Sequence, residues 1–309
     1  MTTHSALPRI SVVIPTFNRR ERLRQILAPL VTQTYPDYEV IVVDGGSRDG
    51  TPAMLAADFP SVRGLTELKS GPSAARNTGL RAATGEIVAF TDDDCLVPAD
   101  WLARLADGYR RHPEVSGVAG RLEPPEAVWR RNWVARIEVW VTWHTYGLTP
   151  DRPEFQAPGL AVPGATNNVS DRRAALLAVG GFSETFTRHV AGEERDLRER
   201  LCAQGFTEYL YVPLCVYHLR QYRWPDFFTQ ALEMALGVRR FHQRRQSGAP
   251  TLADPERPRR WGIPGLRQAW QAGDLQLTLA LLGERIVYGV GRSLPEPAVL
   301  RLIAWIGRL

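Results

Sequence analysis

The apolar positions of the N-terminal third fall into short unbroken runs rather than an alternating pattern. Arg9 to Pro15 and Tyr38 to Asp44 are β-branched and uninterrupted, which predicts strands covered on both faces, as in a parallel sheet. Between them the spacing changes to that of a helix. Leu23, Ile26, Leu27 and Leu30 predict one over Arg20 to Val31, and the turn-rich stretch Gly45 to Thr51 leads into another. The same βαβ rhythm continues with a short strand within Ser61 to Leu68, a helix from Pro72 to Ala83 and a strand from Glu86 to Thr91. A helix over Pro98 to His112, marked by Leu102, Leu105 and Tyr109, and a small strand from Val115 to Gly120 follow.

From Leu122 to Leu160 the pattern loosens. Trp129, Trp133, Trp140 and Trp143 are spaced for one amphipathic helix face, serving either core and interface packing or a platform for stacking sugars. The Gly164 to Ser170 loop precedes a short helix and a Gly180-Gly181 turn. Gly192 to Gly205 reads as a helix with acids in its first turn, where they suit the helix dipole. Phe206 to Val216 predicts a strand ending near His218. Beyond Arg220, an amphipathic helix over Phe227 to Phe241, a Pro, Gly and Arg-rich linker at about 246–264 and two apolar segments, Leu275 to Val290 and Ala298 to Ile306, define a helical appendage. The expected fold class is α/β, a mainly parallel sheet flanked by helices over 1–219, followed by a basic helical region over 220–309.

Composition narrows the setting. With 309 residues and 44% hydrophobic content the chain can build a sizeable core. Cys95, Cys202 and Cys215 are scattered and lack metal-ligand spacing, which fits a reduced, cytoplasmic compartment. The first residues lack the apolar run of a signal peptide, and no run of about 18 uncharged apolar residues occurs, so no spanning helix is expected. The net charge is +5, yet Leu219 to Leu309 holds 14 Arg and only 7 acidic residues. A tail of that charge suits an anionic membrane surface or nucleic acid.

The candidate chemistry centres on Gly85-Glu-Ile-Val-Ala-Phe-Thr-Asp-Asp-Asp-Cys95, where an apolar strand runs into Asp92, Asp93 and Asp94. If the strand continues through the acids, Asp92 and Asp94 share a face and Asp93 turns away. Two carboxylates so placed suit a hard divalent cation, whose shell substrate phosphates complete. A strand's carboxyl end is also where open α/β sheets bind ligands. The other reading is a solvated acidic turn.

Five stretches in order resemble the family 2 glycosyltransferases, enzymes of the GT-A fold: Ser11-Val-Val-Ile-Pro-Thr-Phe-Asn18, Glu39 to Thr51, Gly71-Pro-Ser-Ala-Ala-Arg-Asn-Thr-Gly79, Gly85 to Asp94, and Gly192-Glu-Glu-Arg-Asp-Leu197. The resemblance covers roughly 9–219 and implies a nucleotide-sugar-binding half over 9–120 and an acceptor and catalytic-base half over 121–219. It places Pro15, Thr16 and Asn18 under a nucleobase, Asp44 at the base edge and Arg76 on the nucleotide. Asp92 to Asp94 resembles the family's D-x-D motif, holding the ribose and a Mg²⁺ or Mn²⁺ ion, so that Asp92 and Asp93 are assigned to the nucleotide sugar and Asp94, with Asp92, to the metal. His218 stands near the metal or simply closes its strand. Glu194 is implied as the base of an inverting transfer, with Glu193 orienting the acceptor; Glu replaces the usual Asp here, and Gly45 replaces the second Asp of the family's first acidic turn. Asn167 and Asn168 line the acceptor side or complete a turn. Gln221-Tyr-Arg-Trp224 is one residue short of the Gln-x-x-Arg-Trp signature of processive synthases, so single transfer is expected.

The implied function is metal-dependent transfer of a sugar from a nucleotide-diphosphate donor to an acceptor hydroxyl, in cell-envelope polysaccharide, glycolipid or secondary-metabolite glycosylation. A sugar nucleotidyltransferase would carry a Gly-rich basic loop where this chain has Pro15 to Asn18. An inactive nucleic-acid or membrane-surface binding protein would rest on the tail; with the acids retained, nucleic acid is not the expected partner. For the tail, a peripheral contact with the inner face of the cytoplasmic membrane, through apolar faces interspersed with Arg285, Arg292, Arg301 and Arg308, stands beside packing on the domain or a homodimer contact.

Overall fold

The computed structural model describes residues 7–159, 166–186, 192–246, 267, 269–271, 274–306 and 308. The linker read beyond Gln246, and Gly164 and Ala165 of the acceptor-side loop, lie outside the described residues. The strands β1 (Ile10–Thr16), β2 (Tyr38–Asp44), β3 (Arg63–Thr66), β4 (Ile87–Phe90), β5 (Cys95–Leu96), β6 (Gly117–Glu123), β7 (Phe155–Pro158), β8 (Val169–Arg172) and β9 (Glu208–His218) join in one sheet. Its order is β3-β2-β1-β4-β8-β6-β9-β5, with β7 also paired to β9. β3, β2, β1 and β4 are parallel, whereas β8 runs antiparallel between β4 and β6. The sheet is therefore mixed and mainly parallel, as the GT-A resemblance implies.

The unbroken apolar runs are explained by cover on both faces. On β1, Ile10, Val12 and Ile14 face one cluster with Leu23, Ile26, Leu27 and Leu30 of α1 (Arg20–Leu30) and with Trp101, Leu102 and Leu105 of α4 (Trp101–Arg111). Val13 faces the other cluster, with Ile41, Val43, Phe90 and the residues Ala75 and Leu80 of α3 (Pro72–Ala82). Each such buried side chain is worth about 1.5–3 kcal/mol relative to exposure. Strand alternation thus divides one apolar run between two helical layers.

Two pairings set the site. Thr16 is in register with Asp44, so the loops leaving β1 and β2 lie side by side. Cys95 is in register with His218, which brings the end of β9 beside the acidic turn. Pro15 sits where β1 has outrun β4, whose last partner, Phe90, lies opposite Val13; its missing N–H therefore removes nothing from that side of the ladder.

The tryptophan segment is not one helix. It breaks into α5 (Glu126–Trp129), α6 (Trp133–Trp140) and a π-helical turn over Val141–Thr145. The break is fixed by Asn132, whose side-chain oxygen caps α6 by accepting from the Val134 and Ala135 N–H groups at 2.9 and 3.2 Å. Trp129 and Trp143 pack instead of forming an open platform, meeting edge-on at 5.9 Å while Trp143 donates to Glu123 at 2.6 Å; Trp133 stays partly exposed. The helix α9 (Trp224–Gln246) then carries the C-terminal region. Its Phe227 joins Val134 and Ile137 of α6 and Leu281, while its Leu232 and Leu236 join Phe186, Val299, Ile303 and Ile306. The helices Leu275–Ser293 and Glu296–Ile306 are thereby fastened to α9, and through it to α6 and Phe186.

Gly79 of α3 permits a close approach of that helix to β1, since a Cβ there would stand 2.3 Å from Val13 Cγ1. The helix-propensity gain of Gly79→Ala is at most about 1 kcal/mol, against about 1–3 kcal/mol for overpacking a stiff valine. Urea unfolding of Gly79→Ala should show a lower midpoint; an equal or higher midpoint would contradict this packing.

Candidate active site

The strand expected to deliver the acids stops at Phe90, and the Cys95 N–H donates to the Asp92 carbonyl at 3.1 Å, closing a turn. The alternation expected of Asp92 to Asp94 is therefore corrected. Asp92 accepts from Arg76 Nη2 at 2.9 Å, while Asp93 and Asp94 share Arg19 Nη1 at 2.8 and 2.9 Å. Asp93 also accepts from the Thr16 hydroxyl at 2.8 Å. Asp94 further faces His218 Nε2 at 3.4 Å and Arg22 at 3.8 Å. A turn points consecutive side chains in directions that a strand forbids, which is why the neighbouring pair converges and the alternate pair does not.

His218 is held from behind. Its Nδ1 lies 3.2 Å from Glu138 Oε1, and Glu138 Oε2 lies 3.0 Å from Arg220. Burial works against a charged imidazole, but the bonds to Asp94 and Glu138 carry His218 up to about 9. Burial likewise opposes ionisation of Asp94, yet the His218 bond and the charges of Arg19 and Arg22 hold it down to about 2. Asp93 is pushed by burial, and by the adjacent Asp94 against the relief from Arg19, to about 6.

Among the described residues, Asp94, Cys95 and His218 offer ligand atoms all within 4.8 Å of one another. A carboxylate and an imidazole fit a divalent ion. The Cys95 thiol is a soft donor that a hard Mg²⁺ or Mn²⁺ ion does not favour, and it is buried. Asp92 stands outside this group, on Arg76.

The loops after β1 and β2 lock together. Asn18, at φ 52°, donates its N–H to Ser47 Oγ at 2.7 Å and accepts from the Arg48 N–H at 2.8 Å. Asp44 is only 3% exposed, and both its oxygens accept from the Ser47 N–H at 3.1 Å while the Ser47 hydroxyl donates to Oδ1 at 2.5 Å. Asp44 therefore shapes this turn, and a ligand must compete with Ser47 for it. Arg76, 4% exposed, donates to Asp92 and, at 3.2 Å, to Glu193 Oε1. Arg76, expected as the basic contact to the nucleotide, here bridges two carboxylates as a strut.

α8 (Glu193–Ala203) opens on Gly192 at φ 120°. Glu194 Oε1 accepts from the Thr166 N–H and hydroxyl at 2.7 and 2.6 Å. Burial, and the charge of neighbouring Glu193, raise the Glu194 pKa above the ordinary carboxylate range against those bonds. Next to Thr166, the Asn167 side-chain oxygen is buried without a hydrogen-bond partner among the described residues. Asn168 is different: wholly buried, it accepts from Trp101 Nε1 at 2.9 Å and donates to the carbonyls of Arg121 and Leu214 at 2.8 and 3.1 Å. It braces β6, β9 and α4, and cannot present its amide to an acceptor.

Sequence reasoning missed Arg19, Ser47, Glu138 and Thr166. A single carboxylate inside the apolar run Trp133 to Trp140 was the one signal for Glu138; a serine three residues after Asp44 was the signal for Ser47.

Comparison with known proteins places this geometry. Glycosyltransferase AglE of Haloferax volcanii is 42% identical over 107 residues, 32% of this chain and 35% of that protein. Glucosyl-dolichyl phosphate glucuronosyltransferase of the same organism is 28% identical over 216 residues, 66% of either chain. The first alignment thus spans about a third of its relative's length. Among solved structures, a mannosyltransferase from Pyrobaculum calidifontis, in complex with GDP-Man and Mn2+, superposes with a TM-score of 0.57 at 23% identity, over 99% of this chain and 82% of that one. That likeness bears on the fold, which is GT-A. A family model described as Glycosyl transferase family 2 matches residues 11–175, more than half of the chain, and the chain belongs to that family.

Proposed function

We propose that this protein is an inverting glycosyltransferase that moves a sugar from a nucleotide-diphosphate sugar to an acceptor hydroxyl in one transfer, with a divalent cation, Mg²⁺ or Mn²⁺. The observation that carries this reading is the Arg76 guanidinium, which ties Asp92, beside the cation-binding acids, to Glu193, beside the buried Glu194. One strut therefore ties the donor-side acids to the acceptor-side acids. The domain assignment follows: 1–219 forms the catalytic unit and 220–309 its basic appendage.

Asp94 and His218 would hold the cation, which neutralises charge building on the leaving diphosphate. Glu138 orients His218 by taking the hydrogen bond of the second ring nitrogen, as carboxylates do behind metal-ligating histidines. Pro15, Thr16, Asn18 and Asp44 form the floor for the base, and Asp93 belongs to the donor side through Thr16. Glu194 accepts the proton of the attacking hydroxyl, for which a raised carboxylate is better matched than an ordinary one. The unpartnered oxygen of Asn167 lies in sequence beside Thr166 and suits an acceptor hydroxyl. The dolichyl phosphate in a relative's name supports a lipid-linked acceptor and a role in cell-envelope glycosylation.

The C-terminal region fits that acceptor class. Among the described residues no helix is long and apolar enough to cross a membrane. The Leu275–Ser293 helix nevertheless exposes Leu279 (58%), Leu282, Ile286 (60%) and Val290, which fall on one stripe at spacings of three and four. Arg285 and Arg292, seven residues apart, form a second exposed column. A second copy of the chain would set like charges against one another, whereas anionic headgroups neutralise them, so the surface fits the cytoplasmic face of an anionic membrane.

Calorimetry with GDP, UDP and dTDP, with and without Mn²⁺, tests the donor site. One nucleotide should bind in a Mn²⁺-dependent way, and Asp94→Asn should lose that dependence; no binding by any of them to folded wild type would sink the reading.

Glu194→Gln should lower transfer about 10²- to 10⁴-fold with nucleotide binding retained. Because the Glu194 pKa is raised on folding, the group favours the folded state below the ordinary carboxyl pKa, and that advantage is lost as pH rises through the folded value. Glu194→Gln should therefore melt higher than wild type at pH 7.5, with the gain shrinking toward pH 4. A lower melting temperature at pH 7.5 would contradict the burial argument.

In flotation with phosphatidylcholine vesicles, wild type should rise only when phosphatidylglycerol is included, and Arg285→Glu with Arg292→Glu should stay below. Wild type remaining at the bottom with both vesicle types would rule out the membrane surface.

A further inference from the structure

The basic side chains of α1 stand in an unusual relation to the acids. Arg19, the residue before that helix, places a single nitrogen, Nη1, within 2.8 Å of Asp93 Oδ1 and 2.9 Å of Asp94 Oδ2. Its side chain is nonetheless about half exposed (48%), while the two acids are buried. Arg22, one turn on, reaches Asp94 Oδ2 at 3.8 Å. On its other oxygen, Asp94 meets His218 at 3.4 Å.

These positions make the guanidinium and a divalent ion alternatives for the same negative charge. An ion held by Asp94 and His218 would draw on the same Asp94 carboxylate whose other oxygen Arg19 Nη1 holds. Like charges at about 4 Å repel by about 1 kcal/mol in water and by about 4 kcal/mol near a protein surface. Arg19 is the member free to move, because half of its side chain already lies in solvent, its backbone only begins a helix, and a staggered rotamer change costs little. A guanidinium leaving two carboxylates retains its need for anionic oxygen, and the diphosphate brought by the cation supplies it in the fork geometry arginine prefers.

We infer that Arg19 is an exchangeable cation of the donor site: it neutralises Asp93 and Asp94, is displaced from them by the divalent ion, and then contacts the leaving diphosphate. This rests on the glycosyltransferase reading above. It makes cation and diphosphate binding cooperative, since each removes the obstacle to the other. The direction is distinctive. Removing Arg19 must strengthen the binding of cation alone and weaken the binding of diphosphate with cation, whereas a side chain needed only for folding would weaken both.

The test is titration of Mn²⁺, followed by its paramagnetic resonance signal, into wild type, Arg19→Met and Arg19→Lys, each alone and with the best-binding of GDP, UDP and dTDP. Arg19→Met should bind Mn²⁺ alone about tenfold more tightly than wild type and lose most of the mutual enhancement between Mn²⁺ and nucleotide. Arg19→Lys, which keeps the charge without the fork, should fall between them. Unchanged or weaker Mn²⁺ binding by folded Arg19→Met overturns displacement, and undiminished enhancement overturns the diphosphate contact. If no nucleotide binds wild type at all, the glycosyltransferase reading fails with the diphosphate contact, while the Mn²⁺-only titration still decides displacement.

Discussion

The mutual repulsion of carboxylates gathered around Arg19 and Arg76 is the constraint around which this structure is arranged. Asp92, Asp93 and Asp94 approach from the turn after β4, and Glu193 and Glu194 from the start of α8. Each buried charge costs free energy unless paired. The chain answers with a cation for each subset: Arg19 for Asp93 and Asp94, Arg76 for Asp92 and Glu193, His218 for Asp94. Glu194 alone is given no direct cationic partner in the described contacts, only the hydroxyl and N–H of Thr166. That difference separates the roles. Asp94 is driven to hold its charge, and Glu194 is left ready to take a proton.

The same accounting explains the surrounding fold. Arg76 can act as a strut because α3 lies close on β1, and it lies close because Gly79 presents no side chain to Val13. Asn168 gives its amide to Trp101 and two strand carbonyls, so β6, β8 and β9 stay in register beside Asn167 and Thr166. A neutral buried network with its bonds satisfied makes a rigid support. The charged groups can then be held at contact range without the backbone yielding to their forces.

Much of this was legible in the sequence because strand ends and helical spacing are local properties. β2 has the bounds its apolar run predicts, and α1, α3 and α8 lie within a residue or two of theirs. The identities of the acids followed from the family resemblance. Their pairing did not, since whether Asp92 or Asp93 joins Asp94 depends on where the strand ends, and the Cys95-to-Asp92 backbone bond decides that. Arg76 and Asn168 were legible as residues but not as partners, and Arg19 was not legible at all. Contacts such as that of Arg76 with Glu193 span more than a hundred residues, and no spacing rule encodes them. The break at Asn132 was missed for a related reason, because the tryptophan spacing fits one helix while a single side-chain cap starts a new one.

The appendage and the cation site are joined through α6. One side of this helix sends Val134 and Ile137 into the cluster with Phe227 of α9 and Leu281 of the Leu275–Ser293 helix. From the same helix Glu138 reaches His218 and Arg220. A carboxylate that orients an imidazole must itself be held to within a fraction of an ångström, and a two-turn helix following a break has little rigidity of its own. The C-terminal helices supply that rigidity by packing on it. The surface that exposes Leu282 and Ile286 is therefore mechanically continuous with the residue that positions His218. The helices that carry the exposed stripe thus also hold the helix from which Glu138 reaches His218, which gives a physical reason for the basic region to pack on α6.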